Sequence, residues 1–227
     1  MPKAQSIYDI DAALMLSTYA RGVFPIAPTP FLPDGRIDDA STDRMIDHYV
    51  AAGADGVTIL GIMGEAPKLD YEEAIVFASR CIARAPKLPF IVGVSAPGFA
   101  AMRSLARAAM NKGAAAVMIA PPSSLRTDDQ IVGYYAQAIE AIGTDIPFVI
   151  QDYPLTLSVI MTPNVIRRII TDNPSCVMLK HEDWPGLERS ALCALSKRRA
   201  SCAGFQFLQE TADSFSISRC SAARMAR

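Results

Sequence analysis

The stretch Cys176-Val177-Met178-Leu179-Lys180 decides how the rest of the chain is interpreted, because four apolar or soft residues run into one lysine. Residues 181–183 are polar, so the pattern predicts a short buried strand that presents a lysine amine at its carboxyl end. Loss of water disfavours the charged form of a lysine, and a nucleophilic amine can then condense with a 2-oxo acid to form a Schiff base. The alternative is an ordinary surface lysine at the end of a strand.

Composition indicates one good-sized globular core. The chain has 227 residues, 51% hydrophobic and 20% charged, with a formal net charge of -1. A net charge near zero favours neither nucleic acid nor a membrane surface as a partner. No apolar run approaches the roughly 20 residues that span a bilayer. The start of the chain lacks the apolar core of a signal peptide, which favours the cytoplasm. Five cysteines without CxxC spacing and two histidines predict no metal site.

Apolar strands and helical segments alternate along the chain. Strands are expected at residues 22–31, 56–60, 89–94, 115–120, 147–151 and 176–180, and helices at residues 9–19, 39–52, 71–85, 100–112, 128–142 and from Thr162 onward. Six apolar strands about 30 residues apart predict βα units and a parallel sheet. Polar and glycine-rich residues follow the strands, as they do where a (β/α)8 barrel builds its active site. The first strand lacks a glycine-rich phosphate loop, so the α/β class expected is a (β/α)8 TIM barrel with six of its eight units.

Several motifs resemble one known family. They are the segment PxxPTPFxxDGxID at residues 25–38, AAGADG at residues 51–56, GxxGE at residues 61–65, and the strand-end Lys180. Together they resemble the dihydrodipicolinate synthase / N-acetylneuraminate lyase family of class I aldolases over about residues 22–187. The resemblance implies a TIM barrel, a tetramer, no cofactor, and Lys180 as the Schiff-base lysine for pyruvate or another 2-oxo acid.

The resemblance also implies the other site residues. The turn Gly61, Ile62, Met63 and Gly64 stands where the family has GTTG and is expected to bind the substrate carboxylate through backbone N–H groups. Gln151 stands in place of the family's relay tyrosine and is expected to line the substrate site. Glutamine cannot shuttle a proton as a phenol can, so Tyr153, two residues further along, is the candidate replacement. A packing role for Tyr153 is an equal alternative.

Other departures argue against the lysine-pathway synthase reaction. The tyrosine lent by a partner subunit in that enzyme falls near Ser123, and its substrate-binding arginine falls on Thr156. Beside the lysine, His181 and Glu182 can act as acid or base. Strand alternation points His181 away from Lys180, which favours a structural or solvated role for that residue.

The character of the chain changes after residue 187. Residues 189–227 carry seven Lys/Arg against two acids, three of the five cysteines, and no strand pattern of the earlier kind. Back-translation of residues 209–226 in another frame permits a run that ends R-G-A-D-G, similar to Gly53-Ala54-Asp55-Gly56. The chain is therefore divided into a partial barrel, residues 1–187, and an atypical basic tail, residues 188–227. We hypothesise a frameshift near residues 188–190.

Two functions remain open at this stage. The first is a lyase that acts on a small 2-oxo acid through a Lys180 Schiff base, by aldol cleavage, condensation or dehydration. The second is a catalytically inactive, truncated member of the family.

Overall fold

A computed structural model describes residues 14–182 in full and the backbone of two strands beyond them. The strands are β1 Val57–Ile59, β2 Phe90–Gly93, β3 Ala116–Ile119, β4 Phe148–Asp152, β5 Cys176–His181, β6 Gln206–Thr211 and β7 Ser214–Ser216. The helices are α1 Asp39–Ala51, α2 Tyr71–Arg84, α3 Phe99–Asn111, α4 Asp128–Ile142, α5 Pro154–Leu157 and α6 Pro163–Asp172, with a 3-10 turn at Ala66–Lys68.

The sheet follows the chain in the order β1-β2-β3-β4-β5-β6-β7, and every pair through β5–β6 is parallel. Residues 23–27 add a sixth barrel strand before β1, because Thr58 N donates to Pro25 O at 2.9 Å and Ala27 N donates to Thr58 O at 2.8 Å. The incomplete α/β barrel with six strands through Lys180 is therefore confirmed.

Local sequence explains where the helices begin. Asp70 caps α2 in a capping box with Glu73, and Thr127 caps α4 in the same way with Gln130. Such caps satisfy backbone N–H groups that the first helical turn leaves without partners. Thr162 caps α6 and Pro163 occupies its first position, where a missing backbone N–H costs no helical hydrogen bond. Among the described residues, no helix combines the length and apolar character needed to cross a membrane.

Two apolar layers enclose the strands. The outer layer lies between sheet and helices and includes Val92, Val117 and Ile150. The inner layer fills the barrel interior with Phe24, Ile26, Ile91, Ala116, Met118, Val149 and Met178. The alternation of these two sets along each strand is the two-residue period of β structure, and it fixes which side chains face the interior.

A β-bulge interrupts the pairing of β4 with β5. Phe148 pairs with Cys176 and Val149 pairs with Met178, so Val177 is an extra residue in β5. Both Val177 and Met178 belong to the inner layer. Beyond the bulge the register is regular and sets Gln151 opposite Lys180 and Asp152 opposite His181.

The predicted helix at residues 9–19 is wrong in its described part. Residues 14–19 form turns rather than a helix, and the rest of that prediction lies outside the described residues. Leu16 is buried with the inner layer, and its N–H donates to Ala115 O at 2.9 Å. The apolar side chains that suggested an amphipathic helix instead cover the end of the barrel where β3 begins.

Two strands lie in the tail, although its sequence has no strand pattern of the earlier apolar kind. β6 pairs parallel to β5, from Met178 opposite Gln206 to His181 opposite Gln209, and β7 returns antiparallel to β6. The edge of β5 presents backbone donors and acceptors that an extended segment can satisfy without apolar alternation. The division at residue 187 and the frameshift remain predictions, because the residues that join β5 to β6 lie outside the described part of the chain.

Candidate active site

Lys180, the residue that the sequence singled out as the candidate nucleophile, lies inside the barrel. Lys180 is the fifth residue of β5, has 1% of its surface exposed, and is among the largest fully buried side chains. Its parity is that of Met178, an inner-layer residue, so Lys180 belongs to the next interior layer towards the carboxyl ends of the strands. The alternative of an ordinary surface lysine is wrong.

A carboxylate lies against this lysine. Glu182 Oε1 forms an ion pair with Lys180 Nζ, and the Glu182 side chain is only 9% exposed. The backbone N–H of Glu182 donates to Asp152 O at 2.8 Å, which fixes Glu182 at the end of β4. Residues two apart in an extended chain lie on one face, so Glu182 follows Lys180 on the interior side.

Gln151 completes this cluster. Its Nε2 donates to Glu182 Oε1 at 2.9 Å, and 2% of its surface is exposed. An ionised carboxylate only accepts hydrogen bonds, so Gln151 uses its amide donor here. The sequence predicted that Gln151 lines the substrate site, and the structure shows its side chain hydrogen-bonded to the carboxylate of Glu182.

The glycine turn follows β1 at the same end of the sheet. Gly64 O accepts a 2.6 Å hydrogen bond from Thr29 Oγ1, and Glu65 N donates to Ile62 O at 3.0 Å. Within residues 14–182, no hydrogen-bond acceptor is assigned to the backbone N–H of Ile62 or of Met63. The side chain of Met63 is half exposed and brings no hydroxyl to the turn.

Close packing of backbone forms this turn. A Cβ on Gly93 would lie 1.8 Å from Leu60 O, so only glycine allows β2 to approach the end of β1. A Cβ on Gly61 would lie 3.2 Å from Met118 Cε, which brings the turn against the inner layer. Leu60 has a positive φ of 55°, and the chain reverses there from the strand into the turn.

Tyr153 lies just beyond the sheet. β4 ends at Asp152, and Tyr153 is the N-cap residue of α5 with φ -132° and ψ 73°. Its side chain is partly buried. The strand geometry that would repeat the direction of Gln151 does not continue to this residue, so the position of the phenol depends on the loop. Its role as the replacement relay stays a prediction.

His181 points to the opposite side of the sheet from Lys180. His181 Nδ1 lies 2.6 Å from Asp152 Oδ2, and both side chains are buried. Nearby on this outer side, Tyr135 Oη donates to Ile119 O at 3.1 Å, and burial raises the pKa of Tyr135 well above its ordinary value. The predicted orientation of His181 is confirmed, but it is a buried paired group rather than a solvated one.

Glu182 is the site residue whose placement the sequence left open. The available signal was its spacing of two from Lys180, but the contact with Gln151 depends on strand register. Within the described part of the chain, no group of three or more His, Cys, Asp or Glu residues could hold a metal ion.

Comparison with known proteins gives the family. The model of the Dihydrodipicolinate synthetase family matches residues 19–183. The chain belongs to this family. It is 34% identical over 154 residues to the L-2-keto-3-deoxyarabonate dehydratase of Azospirillum brasilense, covering 65% of this chain and 48% of that protein. It is 31% identical over 166 residues to the 4-hydroxy-tetrahydrodipicolinate synthase of Thermus thermophilus, covering 71% and 54% respectively.

Solved structures agree with this assignment. The dihydrodipicolinate synthase from Rhodopseudomonas palustris superposes with a TM-score of 0.83 and 60% identity, over 86% of this chain and 65% of that one. YagE from E. coli K12, solved in complex with pyruvate, shares the fold with a TM-score of 0.75 at 21% identity, over 84% of this chain and 64% of that one. The chain spans about half the length of the curated relatives that it matches.

Proposed function

We propose that the protein is a class I lyase that forms a Schiff base between Lys180 and a 2-oxo acid. The observation that carries the proposal is a fully buried lysine on the interior face of β5, at the end of the barrel where the glycine turn also lies. An amine in that position is held for attack on a carbonyl, and the family's relatives are lyases of the synthase and dehydratase kinds.

The glycine turn supplies the second element of the proposal. The backbone N–H groups of Ile62 and Met63 would bind the carboxylate of the 2-oxo acid, since a tight turn of successive N–H groups forms an anion site. Gly61 and Gly64 allow the turn to lie against the barrel interior. The pyruvate held by YagE supports this substrate class.

Dehydration is the reaction that we propose. The groups that the resemblance assigns to the synthase, the relay phenol and the substrate arginine, are replaced by Gln151 and Thr156. A relative from Azospirillum brasilense is a dehydratase of a 2-keto-3-deoxy acid. We therefore assign a 3-deoxy-2-oxo acid with a hydroxyl on C4, from which the enamine on Lys180 expels water.

Tyr153 would act on the outer part of the substrate in this scheme. It follows β4 directly, two residues beyond Gln151 along the chain, and the scheme requires its phenol to reach the C4 hydroxyl of a substrate whose C2 is bound to Lys180. A phenol there can give its proton to the departing hydroxyl.

The assembly proposed is a homo-oligomer in the cytoplasm, a tetramer as the resemblance implies. Leu155 and Ile160 support association because their side chains are 75% and 68% exposed near the carboxyl end of β4. A neighbouring subunit would remove this apolar surface from water.

Reductive trapping tests the nucleophile. The full chain is incubated with pyruvate, reduced with borohydride and digested, and mass spectrometry should place the adduct on Lys180. Lys180→Ala should abolish the adduct, whereas Lys87→Ala, which removes an exposed lysine, should retain it. An adduct that survives Lys180→Ala would put the nucleophile elsewhere and overturn the proposal.

A further inference from the structure

The proposed chemistry needs a group that moves protons beside the lysine. Schiff-base formation removes a proton from the amine and adds one to the departing hydroxyl, and enamine formation removes a proton from C3. Ile62 and Met63 carry no exchangeable side-chain proton, and Gln151 is an amide. The hydroxyl groups that the family resemblance would supply are therefore missing at these three positions.

Glu182 is the carboxylate that reaches the lysine amine. It forms an ion pair with Lys180 Nζ, accepts a hydrogen bond from Gln151 Nε2 at 2.9 Å, and is anchored through its backbone to Asp152 O. These three contacts fix the carboxylate against the reacting atom. The replacement that removes a phenol at residue 151 also provides the amide that holds this carboxylate.

A purely structural ion pair accounts less well for this arrangement. Removing two charges from water costs several kcal/mol per ion, so a buried pair gives little net stability compared with apolar residues of similar volume. Lys180 and Glu182 are nevertheless both largely buried in the barrel interior. Buried charges in a cleft that also contains a nucleophile are typical of catalytic groups.

We propose that Glu182 is the catalytic acid–base residue of the Lys180 site, an inference that rests on the proposed Schiff-base lyase. The carboxylate accepts the proton of the Lys180 ammonium, and the free amine attacks C2 of the 2-oxo acid. The resulting carboxylic acid returns that proton to the C2 hydroxyl, which leaves as water as the iminium forms. The carboxylate next removes a proton from C3 to give the enamine.

Elimination and release complete the balance. The enamine expels the C4 hydroxyl, which takes a proton from Tyr153 and departs as water, and the proton that Glu182 removed from C3 then restores the Tyr153 phenol. The substrate thereby loses one hydrogen from C3 and one hydroxyl from C4. Hydrolysis of the conjugated iminium by water regenerates the Lys180 amine. The sequence of steps contains no net oxidation or reduction and needs no co-reactant other than water.

Deuterium exchange isolates the step assigned to Glu182. In D2O, an enzyme that forms the enamine of pyruvate exchanges the methyl hydrogens, and proton NMR follows their loss. Glu182→Gln keeps the volume and a hydrogen-bonding partner for Gln151. We expect exchange, divided by the amount of borohydride-trapped Lys180 adduct, to fall at least about 100-fold. Glu140→Gln, the same change on the exposed side of α4, should leave both quantities unaltered.

The outcomes separate the two proposals. An unaltered chain that gives no Lys180 adduct overturns the lyase proposal and, with it, the role of Glu182. An adduct with exchange changed less than threefold in Glu182→Gln overturns only the role of Glu182.

Chemical rescue covers the case in which Glu182→Gln also loses the adduct. Acetate added to Glu182→Ala should then restore both the adduct and exchange, because a small carboxylate can occupy the vacated space. Failure of acetate to restore either would assign Glu182 to structure and overturn the proposal.

Discussion

Tyr153 follows the last residue of β4, and the loop after the strand sets the direction of its phenol. Removing the hydroxyl of this residue tests its proposed role most directly. Tyr153→Phe removes only the hydroxyl. If that hydroxyl protonates the departing C4 hydroxyl, turnover of a 3-deoxy-2-oxo acid should fall about 100-fold, while exchange of the pyruvate methyl hydrogens stays the same. Steady-state kinetics and NMR exchange measure the two quantities. Tyr71→Phe, on an exposed position of α2, is the matched control, and a turnover loss below threefold would return Tyr153 to packing.

The same scale shows what sequence alone could resolve. Lys180 was predictable because an apolar run ending in lysine is a local pattern that a strand converts directly into an interior amine. Glu182 was left open because its partner Gln151 is 31 residues away and meets it only through strand register. Tyr153 was assigned by strand parity, and the strand stops one residue before it. The alternation of side chains along a strand does not show at which residue the hydrogen-bonded pairing with the neighbouring strand ends.

At the scale of elements, the contact between the ends of β1 and β2 holds the glycine turn in place. Gly93→Ala would put a methyl group 1.8 Å from Leu60 O, and neither backbone can retreat without breaking strand pairing. We expect a loss of about 1–3 kcal/mol in the free energy of unfolding, measured by urea titration, together with weaker pyruvate trapping.

Gly133→Ala is the control for this change. Gly133 lies within α4, and no atom lies within 4 Å of an added Cβ. Alanine there should stabilise the protein by about 0.5–1 kcal/mol, because glycine is the poorer helix former. A Gly93→Ala protein as stable as Gly133→Ala would show that β1 and β2 are not held at this separation.

The elements themselves were predictable to differing degrees. The strands β1 to β5 each lie within one residue of their expected bounds, because parallel strands covered on both sides need apolar runs. The first barrel strand, expected at residues 22–31, pairs only over residues 23–27. β6 was missed because its pairing uses backbone groups of β5, which are invisible in the sequence Gln206–Thr211. The helix predicted at residues 14–19 was wrong because Leu16 packs against the inner layer of the barrel rather than on the apolar face of a helix.

At the scale of the whole molecule, we expect one exposed edge of the sheet to determine whether the protein self-associates. β6 covers the edge of β5, but among the described residues the strand at residues 23–27 pairs only with β1. Exposed apolar edges pair with other chains. We expect the 227-residue protein to self-associate and to melt broadly, and we propose that a protein with a corrected frame after residue 188 is a soluble oligomer with a sharp transition. Sequencing the coding DNA around codon 189 tests the frame directly, and a monodisperse 227-residue product with one cooperative melt would contradict the expectation.

The bulge at Val177 makes the effect of a one-residue insertion or deletion in β5 depend on where the change occurs. Because Val177 is the residue in excess, its deletion would remove one inner-layer side chain but would leave Met178 opposite Val149 and Lys180 opposite Gln151. Deleting Leu179, or inserting one residue after Met178, would change the parity of everything beyond and direct the amine outward, under the helices. A change in length at residue 177 therefore keeps Lys180 directed to the barrel interior. An insertion or deletion in the two residues before Lys180 does not, and we expect such changes to be selected against in proteins that use the amine.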